Sequence, residues 1–121
     1  MNILAIDYGK KRIGLAWCQR ELGIILPYGV VNTIEEVIEL IKREKIDKIV
    51  IGLPLGLNSQ ENENSQRVRL WASQLEKETT RVVEWVDERF SSHEAGHSPG
   101  TVSRDERSAM IILETYLEKN K

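Results

Sequence analysis

Cysteine occurs once in the 121 residues, at position 18, so the chain forms no internal disulfide. That suits a reducing compartment, and the expected location is the cytoplasm. Cys18 lies in an apolar stretch and reads as a small core residue rather than a nucleophile. No apolar run approaches the roughly 18 residues that a membrane-spanning helix needs, so no membrane partner is expected. The opening MNILAIDYGKK puts its positive charges after the apolar stretch. A secretory signal puts them before it and is longer, so none is expected. There is no internal repeat and no low-complexity tail. No GxxxxGK[ST] phosphate loop is present either. Excess positive charge is also missing. The net charge of −2 argues mildly against a strong electrostatic binder of nucleic acid, which needs Lys and Arg at phosphates.

What is present is 40% hydrophobic and 30% charged residues, enough for one packed domain over 1–121. Residues 2–6 (NILAI) read as a buried strand ending at Asp7, and 12–19 as a second strand joined to it by a hairpin turn at 8–11. Residues 23–31 read as a third strand, which Pro27 assigns to a sheet edge or a bulge. Thr33 and Glu36 have capping-box spacing, and Ile34, Val37, Ile38 and Ile41 form the inward stripe of the helix that follows. A fourth strand is expected over 47–53. A polar loop over 55–66 then leads into a helix over 64–78, with Val68, Trp71, Ala72 and Leu75 inward. A fifth strand over 80–87 is followed by Glu88. An irregular stretch, 91–103, then precedes a last helix that starts at a Ser103–Glu106 capping box and runs to about Lys119.

The order βββαβαβα implies a meander of three antiparallel strands plus two parallel additions. The class is α/β: a mixed five-stranded sheet with helices on both faces. Lys10, Lys11 and Arg12 are contiguous. A second cluster, Lys42, Arg43, Lys45 and Lys48, reads as a solvated helix end.

Three acids stand out by position. Asp7 follows an apolar strand, Glu88 follows another, and Asp105 lies in the first turn of the last helix. Asp105 shares a helical face with Ala109, Ile112, Leu113 and Tyr116, which aims it inward. Each acid alone has another use: Asp7 in an Asx-turn with Gly9, Glu88 paired with Arg89, Asp105 favouring a helix N-terminus. Sites in open α/β sheets form beyond the carboxyl ends of strands. If strands 1 and 4 are central neighbours and strand 5 lies beyond strand 4, the three can meet there. Gathered carboxylates repel unless a cation joins them, and hard oxygen donors suit Mg²⁺ or Mn²⁺. Two such ions about 4 Å apart activate water and stabilise a leaving 3′ oxygen, which suits phosphodiester hydrolysis. His93 and His97 lie in the irregular stretch and read as loop residues.

Four motifs, in order and spanning nearly the whole chain, carry a family resemblance: AIDYGKKRIGLAW, IGLPLGLNS (51–59), DERFSSHEA (87–95) and DERSAMIILETYL (105–117). Through them the chain resembles the YqgF (RuvX) family, named for pre-16S rRNA nuclease activity and earlier for Holliday-junction resolution. The resemblance implies a ribonuclease-H-like fold, metal-dependent phosphodiester cleavage and maturation of the 5′ end of small-subunit rRNA. It matches Asp7, Glu88 and Asp105 to the family's acidic positions. Asp87 is held in reserve, because strand alternation sends 87 and 88 to opposite faces. Lys10, Lys11, Arg67, Arg69 and Arg89 are the candidates for phosphate contact. Family members usually have a longer segment rich in Lys and Arg before the last motif. This chain has GHSPGTVSR (96–104), with Arg104 its only Lys or Arg.

The expected partner is pre-rRNA or branched DNA, with ribosomal precursor particles beside it, and the chain acts as monomer or homodimer. Two readings compete. A phosphate-binding ATPase of the actin and sugar-kinase kind also opens on Asp-x-Gly and a hairpin, but it needs a second domain that 121 residues do not supply. A non-catalytic RNA-binding module would keep the fold without the metal.

Overall fold

The computed structural model describes residues 1–55, 60–87 and 102–120. Among them the elements run β1 (Asn2–Tyr8), β2 (Ile13–Gln19), β3 (Ile24–Val31), α1 (Ile34–Arg43), β4 (Lys48–Leu53), α2 (Glu63–Thr79), β5 (Val82–Asp87) and α3 (Arg104–Lys119). Glu88, Arg89, His93 and His97, and most of the stretch 91–103, lie outside the described residues. The strands form one sheet in the order β3-β2-β1-β4-β5. The β1–β2 and β2–β3 pairs are antiparallel, and the β1–β4 and β4–β5 pairs are parallel. This is the mixed sheet the element order implies, with β1 and β4 as central neighbours.

Alternation along each strand divides the core in two. Leu4, Ile6, Leu15, Ile49 and Ile51 pack on one face under α1 and α2, against Val37, Ile41, Val68 and Leu75. Ile3, Ala5, Ala16, Cys18, Val50 and Val86 pack on the other under α3, against Ala109, Ile112, Leu113 and Tyr116. The α3 stripe is the one expected from helical spacing. Cys18 is buried in this second core, and burial raises its thiol pKa, which fits a core residue.

Some details differ from expectation. The β1 strand runs two residues further than 2–6, so Asp7 stands in the ladder opposite Gly14 and is not a turn residue. Helix α1 buries Leu40 together with Val37 and Ile41, while Ile34 and Ile38 are only partly buried. Helix α2 starts from a reciprocal Asn62–Ser65 cap that its residue types do not advertise. Pro27 meets both halves of its expectation: β3 is an edge strand, and the β2–β3 register shifts between Leu15 and Ala16. The caps at Thr33–Glu36 and Ser103–Glu106 form as expected.

The α3 face is made of small residues where the helix comes closest. At Gly14 a Cβ would strike the backbone carbonyl of Asp105 and lie 2.9 Å from its Cβ. At the other end of α3 a polar clamp fixes the helix to the parallel strands. The Tyr116 hydroxyl donates to Glu84 Oε2 at 2.6 Å, and Lys48 Nζ donates to Tyr116 Oη at 3.2 Å and pairs with Glu84 at 3.0 Å. The Tyr116 hydroxyl, and then Lys48, lower the Glu84 pKa; Glu84, and then Tyr116, raise that of Lys48.

Two outcomes are expected. Gly14→Ala destabilises the chain by roughly 1–3 kcal/mol through forced displacement of α3, read as a lower urea midpoint; an unchanged midpoint contradicts the close contact. Tyr116→Phe costs about 1 kcal/mol at neutral pH, a modest figure because the Glu84 side chain is 38% exposed and screened. A carboxylate with a depressed folded pKa stabilises above its ordinary range and loses that contribution as pH falls through the depressed value. The Tyr116→Phe deficit therefore shrinks on acidification, measured as the difference in urea midpoint between the two proteins across acid pH. A deficit that grows in acid rules the clamp out as its source.

Candidate metal centre and nucleic-acid interface

Asp7 continues the β1 alternation Ile3, Ala5, Asp7, so it projects on the α3 side of the sheet near the carboxyl end of the strand, half-buried. Its cross-strand partner is Gly14. The β1–β4 ladder ends at Ile6 and Ile51, and the next step brings Asp7 alongside Gly52 of β4, which also offers no side chain. Asp105 is the second residue of α3. The Ser103 hydroxyl accepts the Glu106 N–H at 3.2 Å, and Glu106 Oε1 accepts the Ser103 N–H at 3.2 Å. That cap fixes the first turn, and Gly14 lets it settle against β2. Asp7 and Asp105 thus share one face and one end of the sheet, with the bare backbone of Gly14 between them. The Asp105 side chain is 29% exposed, and its Oδ2 stands 3.2 Å from Arg12 Nε.

The reserve acid does not join them. Asp87 ends β5 on the side of Val83 and Trp85, which pack with the α1–α2 core, whereas Val86 faces α3. Among the described residues no three His, Cys, Asp or Glu side chains stand close enough to hold a metal ion. Glu88, the third acid expected from the sequence, lies outside them. The two acids that are described fit a divalent ion. Both are hard oxygen donors, and the carboxylate of Asp105 already has a cationic guanidinium beside it.

The predicted phosphate contacts separate into groups. Lys10 and Arg67 line one open cleft of about 200 Å³ at the carboxyl ends of β1 and β4, together with Tyr8, Pro54 and Asn64. Arg67 donates to Asn64 Oδ1 at 3.2 Å. Lys11 sits exposed on the β1–β2 turn, where its carbonyl accepts from Asn32 Nδ2 at 3.0 Å. Arg69 is engaged elsewhere. Two of its nitrogens contact Glu61 at 2.8 and 3.0 Å, and its guanidinium lies 5.0 Å from the centre of the Trp85 ring. Arg89 lies outside the described residues. The residue that sequence reasoning missed is Arg12. It was visible only as the third member of a cationic run, and the turn geometry that selects it is tertiary.

In the second cationic cluster Lys42, Arg43 and Lys45 are exposed at the end of α1, the solvated helix end expected, and Lys48 is half-buried. Arg43 contacts Glu39 at 3.7 Å and Glu44 at 3.3 Å, and Lys48 belongs to the Tyr116 clamp.

Known proteins resemble this chain in sequence and in fold. A relative named "Putative pre-16S rRNA nuclease" from Maridesulfovibrio salexigens is 36% identical, covering 98% of this chain and 99% of its own. One of the same name from Phocaeicola vulgatus is 35% identical over 99% of this chain and 97% of its own. Among solved structures, Thermus thermophilus RuvC in complex with a Holliday junction substrate superposes with a TM-score of 0.68 at 14% identity, covering 99% of this chain and 96% of that one. The fold is accordingly ribonuclease-H-like, of the RuvC type. The family model RuvX, described as Holliday junction resolvase, matches residues 1–119, and the chain belongs to that family.

Proposed function

We propose that this RuvX-family nuclease hydrolyses phosphodiesters at the 5′ end of pre-16S rRNA, with Mg²⁺ or Mn²⁺ held by Asp7, Glu88 and Asp105. The observation that carries the reading is that Asp7 pairs across the ladder with Gly14 while the first turn of α3, with Asp105, packs directly on that glycine. Support for Glu88 rather than Asp87 comes from β5, where Val86 faces α3 and Asp87 faces away. Divalent ions at such a site supply Lewis acidity and an activated water.

The chain's own residues do the rest. Asp7, projecting from a strand paired on both sides, and Asp105, on a capped helix, hold their oxygens with little freedom. Lys10 and Arg67 give the nucleic-acid backbone a cationic cleft beside the acids. Lys11 extends that positive edge along the turn. Arg69 contributes less, being held by Glu61. The pre-16S substrate is favoured by the names of relatives matching nearly the whole chain. Ribosomal precursor particles are then the partner, and the cytoplasm is the place.

Branched DNA is the second reading, favoured by the superposition on RuvC with its junction. One experiment separates the readings: cleavage of a pre-16S 5′ fragment and of a synthetic four-way junction, each with Mg²⁺ and with Mn²⁺. The RNA fragment is cut in preference. Asp7→Asn, Asp105→Asn and Glu88→Gln each lower turnover by about 100-fold or more with nucleic-acid binding retained, whereas Asp87→Asn stays near wild type. Cleavage of neither substrate with either metal would favour a binding module. Loss at Asp87 in place of Glu88 would overturn the assignment of the third acid.

A further inference from the structure

Arg12 combines a fixed backbone with an exposed side chain that reaches Asp105. Its backbone is fixed: the Gly9 N–H donates to the Arg12 carbonyl at 3.0 Å, and a Cβ at Gly9 would lie 2.7 Å from that oxygen. Asn32 Nδ2 ties down the adjacent Lys11 carbonyl at 3.0 Å. The next residue, Ile13, is already in the ladder opposite Tyr8. From this anchored start the Arg12 side chain runs 70% exposed to Asp105 Oδ2, the carboxylate assigned above to metal. An exposed ion pair of this kind is weak. The contact engages Nε, and a guanidinium has four more N–H bonds on its terminal nitrogens.

We propose that Arg12 is a placeholder cation: it pairs with the Asp105 carboxylate and is released to a nucleic-acid phosphate when that carboxylate binds metal. The inference rests on the metal-site reading given above. A divalent cation on the Asp105 carboxylate would repel the guanidinium beside it, so each weakens the hold of the other. The released side chain is long, exposed and anchored on the turn that carries Lys10 and Lys11, so its natural new partner is the polyanion lying over that turn. Metal and nucleic acid then each strengthen binding of the other, by the same factor.

The test uses the intact chain and two variants, Arg12→Gln and Arg12→Lys. Mn²⁺ affinity is measured by calorimetry without nucleic acid. Affinity for a phosphorothioate oligoribonucleotide is then measured against salt, with and without Mn²⁺. Arg12→Gln is expected to bind Mn²⁺ about two- to fivefold more tightly than wild type, because its competitor is gone. In Mn²⁺ the same variant should bind the oligonucleotide with a salt slope shallower by about one. Arg12→Lys keeps the charge and should keep the wild-type slope. Unchanged or weaker Mn²⁺ binding by Arg12→Gln, or a slope equal to wild type, overturns the placeholder role alone. No Mn²⁺ binding by the wild-type chain overturns the metal site as well.

Discussion

The contact between Gly14 and the first turn of α3 is the constraint on which the acidic end of the sheet depends. A side chain at Gly14 would have to occupy the space that the Asp105 carbonyl and Cβ fill. The sheet answers its two sets of helices differently. Under α1 and α2 it offers Leu4, Ile6, Leu15, Ile49 and Ile51, which hold those helices at full side-chain distance. Under α3 it offers Ala5, Gly14 and Ala16 near the same strands, so that one helix comes in close. A helix seated on backbone has less room to rock than one seated on flexible side chains. Close seating is what places an Asp on a helix beside an Asp on a strand.

The fold was largely legible because its signals are local. Helical spacing alone put Asp105 on the stripe of Ala109, Ile112, Leu113 and Tyr116, the residues that pack under α3. Short links between the first three strands and helices before the last two fixed a mixed sheet without reference to any contact. Where local signals stop, tertiary contacts decide. The apolar run of β1 ends at Ile6, yet the strand continues through Asp7 and Tyr8 because β2 supplies partners there. The Asn62–Ser65 cap uses residue types that also make loops. Among three consecutive cations, only the turn decides that Arg12 reaches Asp105. Of the candidate site, Asp7 pairs across the ladder with Gly14, and the first turn of α3, with Asp105, packs on the same glycine. Glu88 stays an inference from alternation, because β5 is described only to Asp87.

The net charge of −2 is a poor guide to what this surface attracts. Several cations are already matched within the fold. Arg43 sits among Glu39, Glu44 and Tyr28, Lys48 between Glu84 and Tyr116, and Arg69 against Glu61 and Trp85. Lys10, Lys11, Arg12 and Arg67 differ in that all lie at the carboxyl end of the sheet. A surface balanced overall can therefore present a cationic rim around an acidic centre, and the rim is what a phosphate backbone meets.

An acidic centre within a cationic rim also fixes an order of dependence. Asp7 and Asp105 alone would oppose a polyanion drawn toward them by the lysines, since like charges at close range cost more than a screened rim returns. A divalent ion held by these acids would reverse the local sign, so the same carboxylates that repel phosphate would then favour it. The Arg12–Asp105 pair is a partial version of that reversal, one unit of positive charge at one of the two acids. On the proposed reading, nucleic-acid affinity at this end of the sheet would follow which cation Asp105 holds.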